Sequence, residues 1–180
     1  ALLHERHGNI PAVFLRAAGV YDDDGRSAFL AQQISQIYEH RLISHFYPGM
    51  LCAAQSSVHR EDLADAVVRL VDRRHDLPSE LPLLVGEPDP PGYAEIQDIV
   101  GEALHGEGWK TIRIPQPLAK AGIILQNEAL GSEDFIKPWM IDRSNDHYIL
   151  DISRARSLLG WEPKHNLRDT LPTIVAALKR

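Results

Sequence analysis

The chain has 180 residues, 44% hydrophobic and 24% charged, which suits one well-packed domain and argues against disorder as a global state. The formal charge of −6, from 25 acidic against 19 basic residues, supplies no basic stripe for a phosphate backbone, so no nucleic-acid partner is expected. A single cysteine, Cys52, excludes an internal disulfide framework, and no apolar run approaches the roughly 18 residues of a membrane span, so the expected setting is cytoplasmic.

Residues 1–7 read as the end of a helix stopped by Gly8 and Asn9. Ile10 and Pro11 lead into the apolar run from Ala12 to Tyr21, which does not alternate cleanly and therefore predicts a strand covered on both faces. Asp22 to Gly25 is a loop. Ser27 is placed to cap a helix through about Arg41, with Leu30, Ile34, Ile37 and Tyr38 on its buried side. Residues 51–58 form a short strand candidate. Asp62 then caps the clearest helix, with Leu63, Ala66, Val67, Leu70 and Val71 on one stripe.

Leu81 to Val85 predicts another strand, and the turn-rich residues 86–92 deliver a helix carrying Ile96, Ile99, Val100, Ala103 and Leu104. Thr111 to Ile114 is a brief strand, followed by a helix-compatible segment over 116–130. Asp151 caps a short helix ending at Gly160, and Asp169 or Thr170 caps a last one with Pro172 in its first turn. Strands alternating with helices give an α/β class, with few short strands in a partly parallel sheet beneath many helices. The first strand lacks obvious neighbours, so residues 1–180 by themselves are expected to expose an apolar strand edge and a bare face, and to pair or aggregate there.

Four segments resemble the extended short-chain dehydrogenase/reductase family of NAD-dependent epimerases and dehydratases. Leu15-Arg16-Ala17-Ala18-Gly19-Val20-Tyr21 is similar to that family's Leu-Arg-Pro-x-x-Val-Tyr-Gly strand and loop. Val58-His59-Arg60-Glu61-Asp62-Leu63-Ala64 resembles its Val-His-Val-x-Asp-x-Ala helix start. Tyr93-Ala94-Glu95-Ile96 fits a further helix start, and the stretch from Ser153 to Pro163 resembles the Leu-Gly-Trp-x-Pro ending. In this order they imply the C-terminal, substrate-binding part of a Rossmann-like protein over residues 1–180. Residues 1–21 would hold the end of the catalytic helix and the last strands of the sheet.

The departures are equally specific. No glycine-rich strand-to-helix turn for a cofactor pyrophosphate is present, since Gly101, Gly106 and Gly108 have the wrong spacing. None of Tyr21, Tyr38, Tyr47, Tyr93 or Tyr148 is followed four positions later by the lysine the family pairs with its proton-transferring tyrosine. In the family that pair lies on the helix before the strand resembled by residues 12–20. The resemblance therefore implies that the chemistry lies upstream of Ala1, that the chain alone is inactive, and that no residue here is catalytic.

The intact protein is expected to use NAD or NADP, which this chain alone is not expected to bind well. By the same resemblance, Ala17, Ala18, Gly19 and Val20 would pass the cofactor, and Val20 and Tyr21 the substrate; the plainer account is that Val20 and Tyr21 pack the cleft wall. Ala17 stands where proline is usual and Asp22 where glycine is usual. Arg16 braces the loop or, alternatively, meets a phosphate. His59 and Asp62 invite an acid/base reading, because imidazole titrates near neutrality. Their position before a strong helix favours instead Asp62 as its cap, taking free N–H groups, with His59 packed beside it or on the substrate wall.

Lys137, Trp139, Arg143 and Tyr148 are candidates for a nucleotide diphosphate and base. Trp161 plugs the domain surface, with Gly160 as a C-cap. The histidines are scattered, with His4 and His7 on a helix end and His45, His59, His75, His105, His147 and His165 apart, so no metal is expected. Cys52 reads as core, and the 22–24 acidic run lacks the alternating donors of a calcium loop.

The leading functional expectation is hydride transfer on a nucleotide-linked sugar by the intact protein. Its partners would be the missing N-terminal cofactor half, a nucleotide-sugar or small carbonyl substrate, and a second copy in a homodimer. The alternatives are a reductase of a small carbonyl compound and a non-catalytic metabolite-binding protein of the same fold.

Overall fold

A computed structural model describes residues 12–122 and 137–179. Strand β1 is Ala12–Ala17 and β2 is Gly19–Tyr21, followed by helix α1, Ala28–Tyr38. A 3₁₀ turn, Leu42–His45, leads into β3, Phe46–Tyr47. Strand β4, Ser57–His59, runs directly into α2, Arg60–Asp72. Then come β5, Glu80–Val85, α3, Tyr93–His105, and β6, Ile112–Arg113. The tail holds α4, Pro138–Asp142, α5, Ser153–Leu159, and α6, Leu167–Leu178.

The expected α/β class holds. Three parallel pairs, β1 with β5, β2 with β4 and β3 with β6, are covered mainly by helices. The single strand expected over 12–21 is two, because Ala18 breaks the run and each piece takes a different partner. The break lets the chain step from one pair to the other while Ala18 keeps a backbone bond to Val85. Residues 51–58 are mostly loop: only the isolated bridges at Ala54 and Gln55 precede β4. Cys52 is exposed there, not core. Residues 116–122 are helical; the rest of the helix expected over 116–130, and the one expected over 1–7, lie outside the described residues.

Two apolar clusters organise the molecule. The first joins α1, α3 and α6 through Leu30, Ile34, Ile37, Val100, Leu171, Ile174 and Val175, closed by Trp109 and Tyr21. The α3 stripe is placed as expected, with Val100 fully buried and Ile96, Ile99, Ala103 and Leu104 packed around it. Tyr38 was expected inside, but it is 59% exposed, because α1 ends there and Ile37 makes its last inward contact. Helix α6 starts earlier than expected: Asn166 is its cap, its side chain accepting from the Asp169 N–H, so Pro172 sits beyond the first turn.

The second cluster lies on one face of the β1–β5 pair. Parallel register partners point to the same side, so Leu81, Leu83 and Val85 share a face with Val13, Leu15 and Ala17. Helices α2 and α5 cover Leu81, Leu83 and Val85 through Ala66, Ala155, Leu159 and Trp161. The opposite face, with Phe14, Arg16, Pro82 and Leu84, carries no fully buried side chain. Gly160 ends α5 in the left-handed conformation at φ 59°, as expected of a C-cap glycine.

Candidate functional site

The carboxyl ends of β1 and β5 open into a cleft of about 210 Å³ lined by Arg16, Ala17, Ala18, Gln55, Ser56, Leu84, Tyr148 and Leu150. Four segments meet here because Gly86 has no side chain. A Cβ there would lie 2.5 Å from Ser56 Oγ, 2.8 Å from Leu150 and 2.9 Å from Ala18. Ser56 closes the floor by donating its hydroxyl to the Glu87 carbonyl at 2.7 Å. The walls are small or apolar apart from Arg16, Gln55, Ser56 and Tyr148, a distribution that suits a flat ring with a few orienting polar contacts.

Tyr148 reaches the cleft on an extended segment laid against residues 54–56. Its N–H donates to the Ala54 carbonyl at 2.8 Å, and its own carbonyl accepts from the Ser56 N–H at 3.1 Å. One residue earlier, His147 Nδ1 accepts from the Ala54 N–H at 3.0 Å. The segment is fastened at its start as well. Tyr47 donates its hydroxyl to the Ser144 carbonyl at 2.9 Å, and the Met50 N–H donates to Asn145 Oδ1 at 3.0 Å. Gly49 is required there, since an added Cβ would fall 2.0 Å from the Ser144 oxygen. Tyr47 in turn stacks on Tyr93 with centroids 3.6 Å apart, and burial pushes the Tyr93 phenol up to about 12.

At the tip, the Tyr148 hydroxyl donates to Asp146 Oδ2 at 2.7 Å, and Arg143 Nη1 lies 3.3 Å from both groups. Of the four candidates Lys137, Trp139, Arg143 and Tyr148, the fold brings Arg143 and Tyr148 into contact. Lys137 precedes α4 as its cap and Trp139 stands on α4, 60% exposed; neither lines the cleft.

Tyr21 and His59 are placed in the interior beneath the loop. Tyr21 is 2% exposed and donates its hydroxyl to Glu87 Oε1 at 2.8 Å. Burial, reinforced by the Glu87 charge, pushes the Tyr21 phenol far above its ordinary value and keeps it a donor. Glu87 also accepts from Ser57 and, through Oε2, from the Leu167 N–H at 2.9 Å, where α6 begins. Burial raises the Glu87 carboxyl, against the pull of those three hydrogen bonds. Nothing in the sequence singles out Glu87, because its partners lie 30, 66 and 80 residues away.

The roles expected of His59 and Asp62 are exchanged. His59 is the cap of α2, its Nδ1 accepting from the Glu61 N–H at 3.3 Å. Asp62 lies in the first turn, and its Oδ2 accepts from the Lys164 and His165 N–H groups at 3.0 and 2.9 Å. The Asp62 carbonyl accepts from Trp161 Nε1 at 2.9 Å, so one residue pins the whole link between α5 and α6. The fold also joins two histidines that the sequence leaves scattered. His59 and His165 stack with centroids 4.1 Å apart, and with Glu61 their ligand atoms lie within 4.8 Å of one another. In this arrangement the His59 Nδ1 lone pair is committed to α2, and stacked rings aim their in-plane lone pairs past one another rather than at one ion. His165 is held there by carboxylates as well as by stacking, its Nδ1 3.1 Å from Asp62 Oδ1 and its Nε2 3.8 Å from Glu61 Oε2.

No protein-family model matches the sequence, and no curated protein matches it. Solved structures do. The chain is similar to UDP-glucuronic acid 4-epimerase from Bacillus cereus, solved with UDP-glucuronic acid and NAD, at 17% identity and TM-score 0.67, covering 99% of this chain and 48% of that one. It is also similar to UDP-glucose 4-epimerase from Thermotoga maritima, solved with UDP-glucose, at 17% identity and TM-score 0.64, covering 99% and 49%. A third is RMD from Pseudomonas aeruginosa, complexed with NADPH, at 11% identity and TM-score 0.64, covering 99% and 52%. The chain therefore has the α/β fold found in about half the length of these proteins.

Proposed function

We propose that this chain is the C-terminal, substrate-binding part of an NAD(P)-dependent epimerase or dehydratase that acts on a nucleoside-diphosphate sugar by transient hydride transfer. The observation that carries the reading is the cleft at the carboxyl ends of two parallel strands, where open α/β sheets bind ligands. That similar structures hold UDP-sugars and NAD supports it.

The cofactor, when bound, supplies a reversible hydride acceptor. The residues here fit one end of it: Ala17 and Ala18 leave the β1 backbone open, and a cleft of about 210 Å³ between Leu84 and Leu150 takes a flat ring. Gly19 and Val20 continue that wall along β2. The sequence offers the dinucleotide's phosphates no glycine-rich turn, so in this reading its other end is held by residues outside this chain.

On the substrate side, Arg143 and Tyr148 offer a cation and a phenol at the cleft mouth to a diphosphate and its base, with Lys137, the cap of α4, and the exposed Trp139 as further candidates. Tyr21 and His59, being buried, serve by fixing the loop and β4 beneath the substrate. Arg16 lines the cleft, where it braces the loop or meets a phosphate.

The test is the full reading frame containing this sequence, assayed for interconversion of UDP-glucose and UDP-glucuronic acid with their 4-epimers. The expected result is NAD(P)-dependent turnover or saturable UDP-sugar binding, weakened about tenfold or more by Arg143→Ala or Tyr148→Ala. NADPH oxidation by a small aldehyde or ketone, with no response to UDP-sugars, would replace this reading with the reductase. UDP-sugar binding indifferent to both substitutions would move the site elsewhere.

A further inference from the structure

Helix α2 carries two apolar arcs where the sequence suggested one. At 100° per residue, Leu63, Ala66 and Leu70 fall on one arc, while Ala64, Val67, Val68 and Val71 fall on another centred roughly 115° away. The first arc packs on the sheet. The second is bare: Val67 is 45% exposed, Val68 57% and Val71 55%. Val67 and Val71 were expected in the buried stripe with Leu63 and Leu70. An arc at about that angle points sideways along the sheet rather than straight off it, which is where a neighbouring crossover helix lies.

Coverage of the sheet also stops short of β1. Val13 and Leu81 are register partners on one face, yet Leu81 is fully buried and Val13 is 37% exposed. Among the described residues, β1 has a strand on one edge only. Parallel strands joined by right-handed crossovers that advance in one direction keep their helices on one face. The helix delivering the chain into β1 would then lie over Val13 and beside α2. The sequence pattern assigns the last turns of such a helix to residues 1–7, and similar structures are about twice as long as this chain.

We propose that the Ala64, Val67, Val68 and Val71 face of α2 is the docking surface for the crossover helix that immediately precedes β1, most of it encoded upstream of Ala1. The inference rests on the reading of the chain as part of a larger α/β protein, and it names the element that covers this face. The face is not a site for a second copy or an unrelated partner.

Thiol protection tests it. In a Cys52→Ser background, Val68→Cys is introduced both into residues 1–180 and into the full reading frame, and its modification rate by a maleimide is measured. Val71→Cys serves as a second position should the first fail to fold, and Asp72→Cys on the polar arc as an exposed control. Modification is expected to be about tenfold or more slower in the full chain at position 68 or 71, with the control unchanged. Equal rates in both lengths overturn the proposal, as does protection already present in monomeric residues 1–180. Protection that depends on protein concentration assigns the face to a second copy and overturns it too, and so does a reading frame that begins at Ala1. The readout needs neither nucleotide sugar nor cofactor, so protection without UDP-sugar binding would fail the functional reading and leave this one standing.

Discussion

The two halves of the molecule close their cores differently. The α1–α3–α6 cluster is enclosed on its own terms, with Ile37, Val100, Leu171 and Ile174 fully buried and Trp109 sealing one end by donating its indole N–H to Ser44 Oγ at 3.1 Å. The β1–β5 cluster is enclosed on one face only, where Trp161, Leu159 and Ala155 seat on Leu81 and Leu83. A parallel pair is ordinarily covered on both faces, because its strands are apolar throughout. The sheet half is buried where α2 and α5 reach it and open on its other face, whereas the helical half is enclosed by its own helices.

The largest expected effects come from the sealed faces. Trp161→Ala removes a fully buried indole and its hydrogen bond to the Asp62 carbonyl. A loss of about 3–5 kcal/mol in urea unfolding is expected. Ile174→Ala, at the centre of the helical cluster, is expected to cost about 2–5 kcal/mol. The comparison breaks if Ile174→Ala leaves the α1–α3–α6 signal intact, since that half would then be propped by something other than its own packing. Asp62→Ala comes next. It strands the Lys164 and His165 N–H groups, and a loss of about 1–3 kcal/mol is expected, read as faster amide exchange over 161–166.

Glu87 ties the halves together, so its titration reads the seam. Its carboxyl is raised in the folded state by burial. A raised group adds stability below its unfolded value of about 4.3, and that contribution is lost as pH rises through the folded value. Glu87→Gln places an amide donor against the Tyr21 hydroxyl or the Leu167 N–H and is expected to cost about 1–3 kcal/mol. The stability gap between the original protein and Glu87→Gln should widen from pH 7 to pH 4. A gap that narrows in acid would mean that the carboxylate is held ionised instead.

The sequence made some of this legible and hid the rest for definite reasons. The α3 stripe was readable because Ile96, Ile99, Val100 and Ala103 repeat at the helical period with Gln97, Asp98 and Glu102 between them. The α2 stripe was misread because Leu63, Ala66, Val67, Leu70 and Val71 satisfy one broad arc as well as two narrow ones, and only a neighbour decides. Asp62 reads locally as a cap for α2, yet its amide partners lie 102 and 103 residues on. The start of α6 was set too late because Asp169, Thr170 and Pro172 are stronger local signals than Asn166. At the cleft, Ala17 and Ala18 were within reach through motif order and Tyr148 through its residue type alone, whereas Gly86 and Leu150 enter through long-range packing that no spacing encodes.

The smallest effect discriminates most finely, because it compares one residue type in two settings. Val58 is fully buried in β4, and Val71 is 55% exposed on α2. Val58→Ala deletes two buried methyl groups and is expected to cost about 2 kcal/mol. Val71→Ala gives up little burial in residues 1–180, and alanine is the better helix former by a few tenths of a kcal/mol because valine loses rotamer freedom against the preceding turn. The two terms oppose, so the net change is expected within about 0.5 kcal/mol of zero. In the full reading frame the same substitution should become clearly destabilising, since the methyl groups would then be packed against the helix preceding β1. Chemical denaturation of both lengths measures this directly. A Val71→Ala cost already near that of Val58→Ala in residues 1–180 would mean that the sheet half is closed by its own chain, and the contrast between the two halves would fall.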